Sequence, residues 1–366
     1  MALQCGIVGL PNVGKSTIFN ALTSAAVEAS NYPFCTIEPN TGIVKVPDRR
    51  LSDITERIPT RKVTPAAMTF VDIAGLVRGA SKGEGLGNQF LAHIRETQAI
   101  AHVVRCFSDP NVVHVEGPVD PLRDISVVDT ELALADLETA ARRLTAVQKA
   151  VKGGDKKAPA ALAVLTRCIA ALEEGRPVRG LGLGAEEEPL VRDCHFLTAK
   201  KVVYLANVDD TDLPDAAKNP HVHRLREQAA AEGAQVVVIS GKIEAEISQL
   251  DESERGAYLN DFGLDEPGLN KVIRSGYELL GLHTFFTTGE DENRAWTIGR
   301  GWKAPQAAGV IHSDFERGFI RAETYHYDDL MKHRSEQAIR DAGLLRLEGR
   351  DYVVRDGDVI HFRFNV

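Results

Sequence analysis

Residues 9–16, Gly-Leu-Pro-Asn-Val-Gly-Lys-Ser, constrain this chain more than any other stretch. They match G-x-x-x-x-G-K-S, follow the apolar Leu3, Ile7 and Val8, and lead into a helical run over residues 17–22. Gly9 and Gly14 permit a close backbone approach that a Cβ would obstruct. Backbone N–H groups can then converge on a phosphate, with a helix N-terminus behind them. Lys15 supplies a mobile point charge for β- and γ-phosphates, and the Ser16 hydroxyl is placed to ligate Mg2+.

Further stretches follow in the order that a phosphate-binding switch requires. Residues 31–40 hold two prolines and no helical period, so a loop is expected. Such a loop offers a threonine to Mg2+ and the γ-phosphate; Thr36 is the candidate and Thr41 its competitor. Residues 41–46 and 67–71 read as adjacent strands, and the second runs into the D-x-x-G pattern Asp72-Ile73-Ala74-Gly75. Asp72, at a strand end, can hold Mg2+ through water, and the Gly75 N–H can meet the γ-phosphate. Four glycines in residues 79–88 suit a segment that orders around a γ-phosphate.

Many switch GTPases place a water-orienting glutamine directly after D-x-x-G, but here that position is Leu76, so slow basal hydrolysis is expected. Residues 99–107 read as another apolar strand and residues 108–121 as a loop. His114 in that loop is the candidate replacement for the glutamine, with His93 as an alternative. Asn12 is a candidate to help ligate a monovalent cation, K+, near the phosphates.

From Val127 the pattern changes. Thr130, Leu134, Leu137, Ala141, Leu144, Gln148 and Val151 step by 3 and 4, and Leu162, Leu165, Ile169 and Leu172 repeat the spacing after a break at residues 152–157. This predicts an antiparallel helical hairpin inserted into the nucleotide domain. Its tip is basic, with Arg142, Arg143, Lys149, Lys152, Lys156 and Lys157 against the single acid Asp155. The chain as a whole has 366 residues, 43% of them hydrophobic, and carries a net charge of −9. Nucleic-acid contact must therefore use a local basic patch, and the tip is the candidate for a phosphate backbone. Residues 179–188, with three glycines, read as a connecting loop.

Residues 201–206 form an apolar strand ending at Asn207-Val208-Asp209-Asp210, where the base-reading N-K-x-D motif would sit. Val208 replaces the Lys, which removes the aliphatic cover over the base, while Asp210 taken by itself favours guanine. Residues 217–231 read as a helix and 235–239 as a strand ending at Ser240-Gly241-Lys242, a further base-contacting loop. The alternation of strands and helices predicts an α/β fold with a doubly wound, mostly parallel sheet. From about Leu282, short strands predict a small α+β domain. Residues 352–364 read as a hairpin around Asp356-Gly357, with Ile360, Phe362 and Phe364 on one buried face.

The N-terminus has no basic n-region and no apolar h-region, so no secretion signal is expected. No run approaches membrane-spanning length, and no membrane partner is expected. Five irregularly spaced cysteines without C-x-x-C suit reduced thiols in a cytosol and do not suit zinc.

Residues 9–16, the loop Tyr32-Pro33-Phe34-Cys35-Thr36-Ile37-Glu38-Pro39-Asn40, and residues 72–77 with the glycines after them resemble the Obg-like NTPases of the YchF type. Residues 305–309, 312–324 and 355–360 are similar to a TGS β-grasp domain. The resemblance spans essentially the whole chain. It implies a nucleotide domain over 1–125 and 199–280, the hairpin over 126–198, and a TGS domain over 281–366. It implies a cytoplasmic, ribosome-associated hydrolase that prefers ATP to GTP and uses Mg2+, with ties to translation and stress responses. It further implies nucleotide contacts from Asn12, Val13, Gly14, Lys15, Ser16 and Thr17, Mg2+ ligands at Ser16 and Thr36, and a backbone base contact at Val208, and it points to His114 in the same role. With Lys15, Thr36, Gly75 and His114 as the catalytic set, Asn207, Asp210 and Ser240 complete the expected base site. The hairpin tip and TGS domain would contact ribosomal RNA, with the protein a monomer. Two other classes remain: a GTP-dependent signalling switch with a protein partner, and a nucleotide-sensing RNA-binding scaffold with little turnover.

Overall fold

The computed structural model describes residues 4–24, 40–73, 86–114 and 117–365. Its first sheet has six strands in the order β2-β4-β1-β5-β6-β7. These are β1 (Gln4–Val8), β2 (Thr41–Lys45), β4 (Ala67–Asp72), β5 (Ala99–Arg105), β6 (Lys201–Asn207) and β7 (Gln235–Ile239). All neighbours are parallel except β2, which runs antiparallel to β4. The central β5, Ala-Ile-Ala-His-Val-Val-Arg, is buried at every position, as expected for a parallel strand covered on both faces. Crossovers that return each parallel strand to the same edge leave the C-terminal strand ends together. The C-terminal ends of β1, β4 and β6 therefore lie at one rim.

Helices α1 (Lys15–Ser24), α3 (Leu86–Glu96), α7 (Pro220–Glu232) and α10 (Gly268–Leu279) pack on this sheet, and α8 (Gly241–Gln249) packs against α1. Glu244 of α8 caps α10 by accepting from the Gly268 and Leu269 N–H groups at 2.7 and 3.3 Å. The short α9 (Glu252–Asp261) closes a small cluster with α8 around Ile243, Ile247 and Leu259. Before α7, residues Asp210–Lys218 form 3-10 turns interrupted at Asp215, so the helix expected from Ala217 does not begin there. The helix proper starts at Pro220, capped by Asn219.

The inserted hairpin consists of α4 (Pro121–Lys152) and α5 (Ala158–Glu173). The helix begins six residues before Val127, where the pattern was expected to change. Asp120 caps it by accepting from Leu122 N and Arg123 N, and Pro121 fits the first turn, where its missing N–H costs nothing. The seam also differs from the expected register. Ala133, Leu137, Ala140, Leu144 and Val147 face Val164, Leu165, Cys168 and Leu172, whereas Thr130, Ala141 and Gln148 are exposed. Leu137 and Leu144 keep their expected places, while Ala133, Ala140 and Val147 carry the seam in place of their neighbours Leu134, Ala141 and Gln148. At the base of the hairpin, Arg179 lies in a 3-10 turn (Val178–Leu181) within the stretch expected to be loop. It pairs with Asp129 of α4 at 2.8 Å and Glu232 of α7 at 3.1 Å. Beyond it, α6 (Glu188–Val191) leads back to the sheet.

A second six-stranded sheet, order β11-β10-β12-β8-β9-β3, is built from β8 (Leu282–Thr287), β9 (Glu292–Gly299), β10 (Phe319–His326), β11 (Arg346–Glu348) and β12 (Asp358–Phe364). It also recruits β3 (Lys62–Thr64), which lies parallel to β9. Its helices are α11 (Ala304–Ile311), α12 (Ser313–Arg317), α13 (Tyr327–His333) and α14 (Glu336–Asp341). The hairpin expected over residues 352–364 does not form. Gly357 does make the turn, at φ 89°, but β12 pairs with β10 and β8, and Val353 makes only an isolated bridge to Lys303. Ile360 is fully buried, while Phe364 at the strand end stays partly exposed, because that end runs past the core. Besides β3, α2 (Arg49–Arg57) joins the two sheets: Arg50 Nη1 meets Asp356 Oδ2 at 2.6 Å, and Tyr327 donates its hydroxyl to Asp53 at 2.6 Å.

Among the described residues, no helix is long and apolar enough to cross a membrane. Cys5, Cys106, Cys168 and Cys194 are buried free thiols, and burial pushes Cys5 up to about 12; Cys35 lies outside the described residues.

Candidate functional site

At the rim where the loops after β1 and β6 meet lies a cavity of about 800 Å3. One end is lined by Asn12, Gly14, Lys15, Ser16 and Thr17, the other by Asn207, Val208, Asp209, Asp210, Ser240, Gly241 and Lys242. The first end arises where β1 breaks at Gly9 and α1 begins at Lys15. A Cβ on Gly9 would come within 2.8 Å of the Val103 carbonyl. Gly14 sits at φ 91°, and a Cβ there would lie 2.2 Å from Asn207 Nδ2, so both conformation and space require glycine. Asn12 is left-handed at φ 62°, a conformation that Asn tolerates better than most residues.

Asn207 joins the two ends. Its buried amide donates to the Val13 carbonyl at 2.8 Å and accepts from Gly241 N at 2.9 Å. Val13 itself is buried and meets the site through that carbonyl. Lys15, nearly buried, pairs with the Asp72 carboxylate at the end of β4. Ser16 and Thr17 are exposed on the first turn of α1. A hydroxyl and a carboxylate are hard oxygen donors, the type Mg2+ takes, with phosphate and water completing its shell. Ser16 and Asp72 thus fit such an ion.

At the other end, Val208 lines the wall and donates its N–H to the Ile239 carbonyl at 2.9 Å. Ser240 is buried, and its hydroxyl has no partner among the described residues. A buried polar atom of this kind is costly unless a bound group satisfies it. Asp210 is engaged on both oxygens: Thr211 N donates to Oδ1 at 2.9 Å and Lys242 Nζ to Oδ2 at 2.6 Å. Hydrogen bonding with Asp209 and then with Lys242 holds the Asp210 carboxyl down to about 2.

His114 is not among the lining residues. It is buried against the first turn of α4, with Nε2 2.8 Å from Asp124 Oδ2. Burial raises the Asp124 carboxyl, while His114 and Arg123 pull it back. The residue before His114 touches the phosphate loop directly, because Asn12 Nδ2 donates to the Val113 carbonyl at 3.1 Å. His93 is exposed on α3, away from the lining, and Thr41 is taken up in β2. Thr36, Gly75 and Leu76 lie outside the described residues. Asp124 and the Lys242 pairing had no local sequence signal, since each partner is ten or more residues away.

The chain is similar to known proteins over its whole length. A family model described as a 50S ribosome-binding GTPase matches residues 4–148. The YchF-GTPase C-terminal model, described as a protein of unknown function (DUF933), matches residues 282–365. A protein of Escherichia coli O157:H7 named "Ribosome-binding ATPase YchF" is 56% identical over 366 residues, the whole of both chains. Its namesake in Bacillus subtilis strain 168 is 53% identical over the same full length. The solved structure of the Schizosaccharomyces pombe YchF GTPase is similar with a TM-score of 0.87 at 38% identity, covering 99% of this chain and 97% of that one.

Proposed function

The chain belongs to the YchF family of P-loop NTPases, and on that premise we propose that it is a Mg2+-dependent ATPase whose nucleotide state gates its docking on the ribosome. It is a nucleotide hydrolase. The observation that carries the choice of ATP is the unequal state of the two cavity ends. The described phosphate end keeps Asn12, Gly14, Lys15, Ser16 and Thr17 along the cavity, whereas the base end has Val208 for the usual Lys and an Asp210 already engaged on both oxygens.

Chemistry follows from the residues. The N–H groups of residues 12–17 receive the phosphates, supported by the start of α1. Lys15 leaves Asp72 for the β- and γ-phosphate oxygens, where its charge is desolvated and strongly felt. Ser16 and Asp72 would hold Mg2+, with Thr36 as the further hydroxyl. When bound, the ion spreads negative charge off the transferring phosphoryl group. Gly75 meets the γ-phosphate through its N–H. His114 orients the attacking water after release from Asp124, which makes basal turnover slow and open to control. Asn12 is the candidate neighbour of a K+ ion.

Docking uses the exposed lysines at the hairpin tip and the C-terminal β-grasp region against ribosomal RNA, with the protein a cytoplasmic monomer serving translation or a stress response. Co-sedimentation with ribosomes, with and without a non-hydrolysable ATP analogue, tests the proposal. A bound fraction that changes several-fold with the analogue is expected. Equal binding in both states would reject gating, and no binding would reject the ribosome as partner.

A further inference from the structure

We infer that Lys242 is a specificity-determining residue for the base: by holding Asp210 it withdraws the carboxylate that would read guanine. The inference rests on the ATP reading above and names the device behind it.

A carboxylate at this position selects guanine by accepting from two donors, the ring N–H and the exocyclic amine. That needs both oxygens turned toward the base. Here Oδ1 accepts from Thr211 N at 2.9 Å and Oδ2 from Lys242 Nζ at 2.6 Å. The first bond is local to the turn that Asp210 opens. The second is the one that can vary, because Lys242 is a long side chain on the first turn of α8 and is largely exposed.

Three acids act electrostatically on the Lys242 ammonium, Asp209, Asp210 and Glu246, and Asp210 is in contact with it at 2.6 Å. Glu246 is its i+4 neighbour on α8 and the expected helical partner. Yet Glu246 is bonded to the Tyr258 hydroxyl of α9. Asp209 is bonded to Thr211 as the cap of the following turn and hydrogen-bonds with Asp210 itself. Lys242 therefore closes on Asp210, and both line the base end of the cavity. Adenine gains from the same pair. Its ring nitrogen is an acceptor and would face an unpaired carboxylate as acceptor against acceptor; a carboxylate turned to Lys242 spares it that opposition.

Calorimetric titration of ADP and GDP with Mg2+ tests this in wild type, Lys242→Met, Lys242→Arg and the double variant Lys242→Met/Asp210→Asn. Methionine keeps the stem and removes the charge. Lys242→Met is expected to gain GDP affinity by roughly tenfold, the worth of a charged hydrogen bond, with ADP affinity not improved. The double variant should lose the gain, and Lys242→Arg should keep the wild-type preference. Unchanged GDP affinity in Lys242→Met, with wild type still preferring ADP, would overturn the inference and leave the ATP reading standing. A parallel change of both nucleotides would also overturn it, since it would mark a general binding role. Tenfold tighter GDP than ADP in wild type would overturn the ATP reading and the inference together.

Discussion

Lys15 of the phosphate loop is paired with Asp72 at the end of β4, two groups whose proposed partners both arrive with the nucleotide. In this state each neutralises the other in a largely buried place, where an unpaired charge would be expensive. On the proposed function, binding parts them, Lys15 to the phosphates and Asp72 to the cation.

Removing either member therefore gives different outcomes. Lys15→Ala should lose nucleotide affinity by roughly tenfold or more, because a desolvated phosphate charge loses its partner. Asp72→Asn should retain nucleotide affinity without Mg2+ and lose most of the gain that Mg2+ confers. Calorimetry with and without Mg2+ measures both, and an undiminished Mg2+ effect in Asp72→Asn would remove Asp72 from the cation site.

His114 is tied to Asp124, 2.8 Å away, rather than turned into the cavity. If it orients water after release, His114→Ala should slow single-turnover hydrolysis by about 100-fold or more, the range of a lost acid–base or water-positioning group. Asp124→Asn should weaken the hold and raise the basal rate. An unchanged rate in His114→Ala removes His114 from the mechanism.

Glu244 gives a pH dependence of stability. Burial pushes its carboxyl up from 4.5 to about 7, against the pull of the Gly268 and Leu269 N–H groups. Between those two values the unfolded chain releases the proton and the folded chain keeps it. The folded state then binds more protons, so this contribution to stability falls as pH rises through the window and is flat above it. The full decline amounts to roughly 3 kcal/mol. Thermal melts of wild type and Glu244→Gln at pH 4.5 and 7.5 should therefore show the variant gaining relative stability at the higher pH. A constant difference would show that Glu244 ionises normally.

Contiguous features were legible in the sequence. The phosphate loop is written in consecutive residues, each required by local backbone geometry, and Gly14 and Lys15 stand where the motif places them. The parallel strands were legible because burial on both faces leaves an unbroken apolar run such as β5. Pairings between distant segments were not. β3 is three residues long and gains its place only from β9. In the hairpin seam Leu137 and Leu144 kept their places while Ala133, Ala140 and Val147 replaced their neighbours Leu134, Ala141 and Gln148, because apolar spacing alone does not decide which of two adjacent positions meets the partner helix. Likewise Asp210 reads as a guanine contact until Lys242, thirty-two residues on, takes one of its oxygens.

Ribosome docking through the hairpin is tested most directly by charge reversal at its tip. Lys149, Lys152, Lys156 and Lys157 are exposed around the break between α4 and α5, far in sequence from the nucleotide cavity. Changing all four to Glu, and measuring co-sedimentation with ribosomes at low and moderate salt, separates phosphate-backbone contact from other docking. The account predicts that wild-type binding falls steeply with salt, and that the variant is released at both salts while its basal ATP hydrolysis is unchanged. Undiminished co-sedimentation of the variant would contradict it.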